Sequence, residues 1–272
     1  MKMMFLFARK PFFLYFCGMN NKSLILAAFM GTAMMVASCR SHYEMNGIER
    51  SRILVDKRYK ADAEAEAFLA PFKQRVDSVM SPVVGEIARY MAAQRPESEL
   101  SNLLADILVW GGKAYGEKPV FGVYNMGGIR AAFAKGKVTY GDVLEVAPFE
   151  NKICFFTMTG EKVLQLFGEM ATTGGEAVSS GVKLVFSKDK KLKSALLHGQ
   201  EIDPKAQYRV VSIDYLAQGN DKMEAFKAKT DVNSPQEESN NVRYIIMDYF
   251  REQAAQGKVV DSQIEGRIVV EE

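Results

Sequence analysis

Two stretches of the 272-residue chain decide its fold class: Ser98-Glu-Leu-Ser-Asn-Leu-Leu-Ala-Asp-Ile-Leu108 and Val120-Phe-Gly-Val-Tyr-Asn-Met-Gly-Gly-Ile-Arg130. In the first, leucine and isoleucine occupy positions 100, 103, 104, 107 and 108, which is the spacing of one buried helix face, and Ser98 can cap that helix. In the second, the apolar run 120–124 predicts a strand that ends at a glycine turn. A helix and a strand therefore follow each other directly.

Working outward from these stretches, the hydrophobic pattern predicts more of both element types. Further strands are expected at 153–159, 182–186, 194–197, 208–213 and 266–270, and helices at 161–171 and 241–256. Residues 61–93 have apolar residues at helical spacing, with Pro71 and Pro82 as breaks, and 53–55 reads as a short strand. Because the two element types alternate without a regular βαβ rhythm, we predict an α+β fold rather than a doubly wound α/β fold.

The N-terminal 39 residues predict an export signal. Leu24 to Ala37 is an apolar stretch too short to cross a bilayer comfortably as a helix. The next residues complete Val36-Ala-Ser-Cys39, which resembles the lipobox of bacterial lipoproteins, whose cysteine is lipidated and becomes the new N-terminus. We expect a lipid anchor at the cell envelope, with Arg40 favouring the outer membrane by resemblance to other lipoproteins. An ordinary export signal with an incidental cysteine is the alternative.

The sequence pattern also divides the remaining residues into a first apolar stretch, a tether and a folded domain. Residues 1–18 form a second apolar stretch, and we interpret Met19 as the true start, with an unusually long leader as the alternative. Residues 40–60 are polar and charged and are predicted to be a tether. Residues 61–272 are predicted to be the folded domain.

Composition and residue counts exclude several function classes. Four of the 35 basic residues and no acid lie in the first 39 residues, so 31 basic and 33 acidic residues remain, and no global charge favours nucleic acid. The two histidines, His42 and His198, lie far apart without metal-ligand spacing, so we expect surface histidines and no metal or cofactor in this chain. Cys154 lies in an apolar run and is predicted to be a buried small side chain.

Two features can bind a ligand. Asn125-Met-Gly-Gly-Ile-Arg130 follows a strand directly, and its glycines and arginine can bind a phosphate or carboxylate. Phe149 precedes a strand and Tyr215 follows one, so the two rings can sandwich a flat heterocycle. A glycine turn with a surface arginine, and two core aromatics, are the simpler alternatives.

Seven short motifs follow one another in a fixed order. They are Ser98-x-Leu-x-Asn102-Leu-x-Ala-Asp106, Asn125-x-Gly-Gly-Ile-Arg130, Gly136-x-Val-Thr-Tyr-Gly-Asp142, Pro148-Phe149-x-Asn151, Thr159-Gly160, Ser180-Gly181 and Asp214-Tyr215-Leu-Ala-x-Gly-x-Asp221. This series resembles the C-terminal domain of bacterial and animal 5′-nucleotidases. The resemblance implies a layered α-β-β-α sandwich of mixed sheets.

In that family, an N-terminal metallophosphoesterase domain holds two metals and hydrolyses the substrate. The C-terminal domain binds the nucleoside part, and a hinge rotation carries the substrate to the metals. The resemblance therefore implies a base clamp of two rings, contacts to the phosphate or ribose side, an acid for the ribose hydroxyls and a backbone approach to the base. The resemblance assigns the base clamp to Phe149 and Tyr215, and the contacts to the phosphate or ribose side to Arg130 and Asn125. It assigns the acid for the ribose hydroxyls to Asp221 and the backbone approach to the base to Gly181.

The sequence also departs from the family pattern. The family's Gly-Gly-Asp-Gly-Phe is Gly219-Asn-Asp-Lys-Met223 here, and Asn-Gly-Gly-Gly-Ile-Arg has Met126 at its second position. Pro96 stands where the family usually has an arginine, with Arg95 one residue earlier, which puts one phosphate contact in doubt.

Only the leader and the tether precede this domain in the sequence, which leaves three hypotheses about function. The first is a nucleotide-binding subunit of a split 5′-nucleotidase, inactive alone, whose divalent metals belong to a separately encoded metallophosphoesterase domain. The second is a non-catalytic surface lipoprotein that captures nucleotides or nucleosides for scavenging. The third is a degenerate site on a surviving scaffold that serves as an interaction module.

Overall fold

The computed structural model describes Lys22 and residues 44–56 and 58–271. Apart from Lys22, the predicted signal peptide lies outside this part of the chain, as do the start at Met19, the lipidation residue Cys39 and His42. Contacts divide the chain between Lys60 and Ala61 into two units. In the first unit, the strand predicted at 53–55 is wrong, because these residues are exposed and have no regular secondary structure.

The second unit, from Ala61 onward, contains helices and strands throughout. Its helices are α1 (Ala63–Met80), α2 (Glu99–Gly111), α3 (Tyr140–Val146), α4 (Gly160–Thr173), α5 (Asp214–Ala217) and α6 (Val242–Ala255). Its strands are β1 (Val83–Ile87), β2 (Phe121–Tyr124), β3 (Gly136–Thr139), β4 (Ile153–Thr159), β5 (Ala177–Val178), β6 (Val182–Ser187), β7 (Leu192–Leu197), β8 (Gln200–Glu201), β9 (Gln207–Ile213), β10 (Thr230–Asn233) and β11 (Ile268–Glu271).

The strands form three sheets. The largest has the order β10-β4-β9-β2-β5, in which β2 and β9 run parallel and the other neighbours run antiparallel. A second sheet has the order β11-β6-β7-β8, with β11 parallel to β6, and β1 pairs antiparallel with β3. Both larger sheets are mixed, so the predicted α+β class with mixed sheets is confirmed.

The five-stranded sheet is covered by helices on both faces, because successive residues of a strand point to opposite sides. On one face Phe155 of β4 contacts Tyr115, just after α2, with ring centroids 5.4 Å apart. On the other face Phe156 contacts Phe226 at 5.3 Å, and the short turn that carries Phe226 packs on α4. Helices α2 and α6 therefore lie on one side of the sheet and α4 on the other.

Helix α2 buries the face that its sequence predicts. Ser98 caps it in a reciprocal box with Ser101, and Leu100, Leu104 and Leu108 are at most 1% exposed. At an ordinary ~1.5–3 kcal/mol per buried aliphatic side chain, this face is a major stabilising contribution.

Asn102 and Asp106 of the first motif are structural residues. Asp106 accepts two hydrogen bonds from buried Arg267, at 2.8 and 2.7 Å, and Arg267 also donates to Val178 O of β5. Asn102 donates to Glu97 Oε1 at 2.7 Å. This network ties the segment before β11 to α2 and β5, and none of its residues lines the cavity described below.

The region 61–93 differs from its prediction. Helix α1 continues through Pro71, although proline removes one helix hydrogen bond, and no residue of α1 is buried. The helix ends at Met80, just before Pro82, but residues 83–87 form strand β1 rather than more helix. Tertiary pairing of β1 with β3 overrides the local helical pattern there.

Candidate substrate site

A cavity of about 210 Å³ opens at one end of the five-stranded sheet. It is lined by Asn125, Gly127, Phe149, Asn151, Tyr215 and Asp221. The topology explains why residues so far apart in sequence meet. Strands β2 and β9 are parallel, so their C-terminal ends share one edge, and antiparallel β4 begins at that edge.

Phe149 and Tyr215 line the cavity from two different loops. Phe149 is 48% exposed and Tyr215 is 38% exposed, so neither ring belongs to the core. Within the described part of the chain, neither ring packs against another aromatic ring. Their faces are therefore available for stacking on a flat ligand.

Asp221 is the acid of the cavity, and both of its carboxylate oxygens are already oriented. Tyr215 Oη donates to Oδ1 at 2.9 Å, and Asn125 Nδ2 donates to Oδ2 at 3.1 Å. The bond to Asp221 raises the pKa of the Tyr215 hydroxyl, because deprotonation would place two anions together. Each carboxylate oxygen has more than one acceptor direction, so Asp221 can still accept from ligand hydroxyls.

Gly128 determines how the Asn125 side chain lies. A Cβ on Gly128 would fall 2.3 Å from Asn125 Oδ1, which is buried and has no hydrogen-bond partner. Since a carboxylate only accepts, the amide nitrogen must face Asp221, and Oδ1 takes the space that glycine leaves open. Glycine at 128 therefore makes the Asn125–Asp221 contact possible.

The loop that follows β2 differs from the open anion-binding turn predicted for it. Three of its backbone N–H groups donate inside the protein: Gly128 N to Asn125 O, Ile129 N to Met126 O and Arg130 N to Val146 O. The Arg130 side chain is exposed and donates to Gly127 O at 3.3 Å, which places it beside the cavity without lining it.

Glu176 was not predicted from the sequence. Its side chain is 1% exposed, accepts from Met126 N at 2.6 Å and forms an ion pair with Arg95. Arg95 Nε also donates to Gly175 O at 2.7 Å. Burial raises the pKa of Glu176, although Arg95 and the Met126 N–H oppose the shift. The sequence feature that could have indicated Glu176 is its position, as an acidic residue, directly before the apolar pair 177–178.

Gly181 does not belong with the other predicted residues. It lies beyond β5, and a Cβ there would meet the His198 ring at 2.4 Å. His198 lies within 3.0 Å of Val120 O, at the end of β2 opposite Asn125. The antiparallel β2–β5 pairing carries the chain away from the cavity, so Gly181 is not part of the site as the structure places it.

Cys154, which the sequence predicts to be a buried small side chain, does not line the cavity. It is buried, and burial raises the pKa of its thiol.

In the ranges 44–56 and 58–271, no cluster of three or more histidine, cysteine or acidic residues could hold a metal ion. Among the described residues, no helix has the length and apolarity that crossing a membrane requires.

Comparison with known proteins shows which family the chain is similar to. Residues 82–228 match the family described as 5′-nucleotidase, C-terminal domain. A 5′-nucleotidase of Vibrio cholerae is 26% identical over 197 residues, which are 69% of this chain and 34% of that protein. The 5′-nucleotidase precursor of Thermus thermophilus superimposes with a TM-score of 0.65 and 27% identity, over 76% of this chain and 43% of that one. The NAD nucleotidase of Haemophilus influenzae shares the fold, with a TM-score of 0.56 and 19% identity, over 77% of this chain and 41% of that one. The chain thus spans about a third of the length of the curated relative.

Proposed function

The chain belongs to the family of 5′-nucleotidase C-terminal domains, and on that premise we propose that it is the nucleotide- or nucleoside-binding subunit of a split 5′-nucleotidase. In this proposal a separately encoded metallophosphoesterase domain supplies the divalent metals and the hydrolysis. The observation that carries the proposal is the cavity that collects two open aromatic rings and a pre-oriented carboxylate.

The proposed binding mode follows from the chemistry of the lining. A nucleobase stacks between Phe149 and Tyr215, and base–aromatic stacking contributes about 1–3 kcal/mol per base. Asp221 accepts from the ribose hydroxyls, and Asn125 holds Asp221 in place. Arg130, exposed beside the cavity, lies near the charged end of a nucleotide.

Helix α1 supports the proposal of a protein partner. It directly precedes the residues that match the family, and five of its large apolar side chains are at least half exposed. These side chains are Phe68, Leu69, Phe72, Val76 and Val79. A contiguous exposed apolar surface of this kind is typical of an interaction site. We propose that the phosphoesterase domain covers it.

Calorimetry with adenosine and AMP on residues 40–272 tests the binding site. Wild-type protein should bind, and Phe149→Ala should weaken binding by roughly 5- to 150-fold. Phe72→Ala is the matched control, because Phe72 is also an exposed phenylalanine but lies on α1. Absence of binding by the wild-type protein, or equal effects of the two substitutions, would contradict the proposed site.

Turnover tests the division of labour. The purified chain should not release phosphate from AMP, with or without divalent metal. Addition of an exported metallophosphoesterase domain from the same genome should restore turnover, and Phe72→Ala should weaken that restoration. Hydrolysis by the chain alone, after contaminating phosphatase is excluded, would overturn the split arrangement.

The alternative proposal is a non-catalytic surface lipoprotein that captures nucleotides or nucleosides. It shares the binding site and the lipid anchor but needs no partner. The split arrangement requires the genome to encode an exported metallophosphoesterase that has no C-terminal domain of its own. If the genome encodes no such protein, the alternative is favoured. In either case we propose anchoring through Cys39 at the cell envelope, most simply the outer membrane. Cys39→Ala should then release the protein from the membrane fraction or leave the precursor unprocessed.

A further inference from the structure

Arg243, at the start of α6, is a buried arginine without an acidic partner in the described part of the chain. It is 8% exposed, and none of the ion pairs formed by those residues includes it. Its Nη2 donates to Pro148 O at 2.9 Å, and its Nε is buried with no hydrogen-bond partner. Buried charges are normally paired with an opposite charge, so a buried guanidinium that contacts a carbonyl instead needs an explanation.

The carbonyl that Arg243 contacts belongs to the loop that carries Phe149. Pro148 directly precedes that ring, and the side chains of residues 148–150 are exposed, so little packing holds this part of the chain. The next residue of α6's first turn that reaches the loop is Val242, whose N–H donates to Asn151 O at 2.9 Å. The start of α6 therefore binds the loop on both sides of Phe149.

We infer that Arg243 is a positioning residue, whose bond to Pro148 O fixes where the Phe149 ring stands in the cavity. Arg243 itself does not line the cavity, so it acts through the loop. The inference rests on the proposed function and adds to it a residue that lies beyond 82–228, the segment that matches the family. Proline has no N–H, so the carbonyl is the one backbone hydrogen-bonding group by which Pro148 can be held.

The size of the effect follows from the ordering of one side chain. A ring that stands in place before the ligand arrives loses little conformational freedom on binding. A ring on a loosened loop must be ordered at that moment, which weakens affinity by about 2- to 12-fold. The loss cannot exceed that of Phe149→Ala, because a misplaced ring can do no worse than an absent one.

Calorimetry with adenosine, well below the Tm of each variant, is the first test. Arg243→Met should weaken binding by about 2- to 12-fold, and Arg243→Gln is measured beside it so that the test does not depend on the folding of one variant. Arg267→Met is the matched control, because Arg267 is also buried but bonds to Asp106 and Val178 O, which do not line the cavity. Unchanged affinity in the Arg243 variants, or an equal loss in the control, would overturn the inference.

A double-mutant cycle then separates action through Phe149 from a general structural role. When Phe149 is already alanine, Arg243→Met should change adenosine affinity by less than about two-fold, because the ring that it positions is gone. A loss as large as in the wild-type background would show that Arg243 acts independently of the ring, and would refute the positioning role.

Hydrogen exchange without ligand tests the hold on the loop directly. The amides of residues 149–152 should exchange faster in Arg243→Met than in wild type, and at the wild-type rate in Arg267→Met. Failure of the wild-type protein to bind adenosine would sink the proposed function, but exchange would still decide whether Arg243 holds the loop. Equal loop exchange in wild type and Arg243→Met would overturn the inference whether or not adenosine binds.

Discussion

Gly128→Ala should break the polar side of the cavity, and the structure allows its cost to be worked out. The new Cβ would lie 2.3 Å from Asn125 Oδ1 and 3.0 Å from its Cγ. An ordinary contact needs about 3.4 Å or more, so the Asn125 side chain must move by roughly 1 Å. That movement weakens or breaks its 3.1 Å bond to Asp221.

Three free-energy terms set the size of the effect. Overpacking of this kind costs about 1–3 kcal/mol, and loss of a hydrogen bond to a charged group costs about 1.5–3 kcal/mol. The stiffer unfolded chain of an alanine variant returns about 0.4–1 kcal/mol. We therefore expect a loss of about 2–5 kcal/mol, or roughly 4–20 °C in Tm for a domain of this size.

Gly127→Ala is the matched control. Its Cβ would have nothing closer than Asp221 Oδ2 at 3.9 Å, so its stability should stay within about 1 kcal/mol of wild type. Denaturant unfolding of the three proteins measures the difference, and adenosine binding should fall further in Gly128→Ala. Equal stability of the two variants would refute the reasoning, because it would mean that Asn125 is not confined by Gly128.

Four further outcomes are expected. Phe149→Ala should change Tm little, because the ring is 48% exposed, while weakening adenosine binding measured by calorimetry. Tyr215→Phe keeps the ring but loses its bond to Asp221, so adenosine should bind about 2- to 12-fold more weakly and 2′,3′-dideoxyadenosine equally well. Burial holds the pKa of Glu176 above its ordinary 4.5, so between the two pKa values the folded state retains a proton that the unfolded chain releases. Stability should therefore fall as pH rises from 4.5 through the raised pKa of the folded state. A plot of Tm against pH should be flatter in Glu176→Gln. Arg267→Met should lower the free energy of unfolding in urea by about 2–4 kcal/mol, because it leaves half-exposed Asp106 without its bidentate partner, and adenosine affinity should not change.

Local patterns in the sequence determined much of the fold. The apolar spacing of α2 is satisfied within one helix, so its buried face and its Ser98 cap follow directly from the sequence. Strand β4 has the predicted bounds, Ile153–Thr159, because its continuous apolar run is buried on both faces. Phe149 and Tyr215 were predicted from their places at strand ends and Asp221 from the family resemblance, and the parallel β2–β9 pair helps to bring them to one cavity.

Only the tertiary structure decided the features that depend on distant partners. The two-residue strand β5 carries no periodic signal and exists because β2 lies beside it. The same pairing moves Gly181 away from the cavity, to His198. Glu176 and Arg95 are 81 residues apart, and nothing near either residue indicates the other. Hydrophobic periodicity is set within one element, whereas a buried ion pair depends on how the elements pack. The sequence alone therefore predicts the rings and the acid but not the Arg95–Glu176 ion pair.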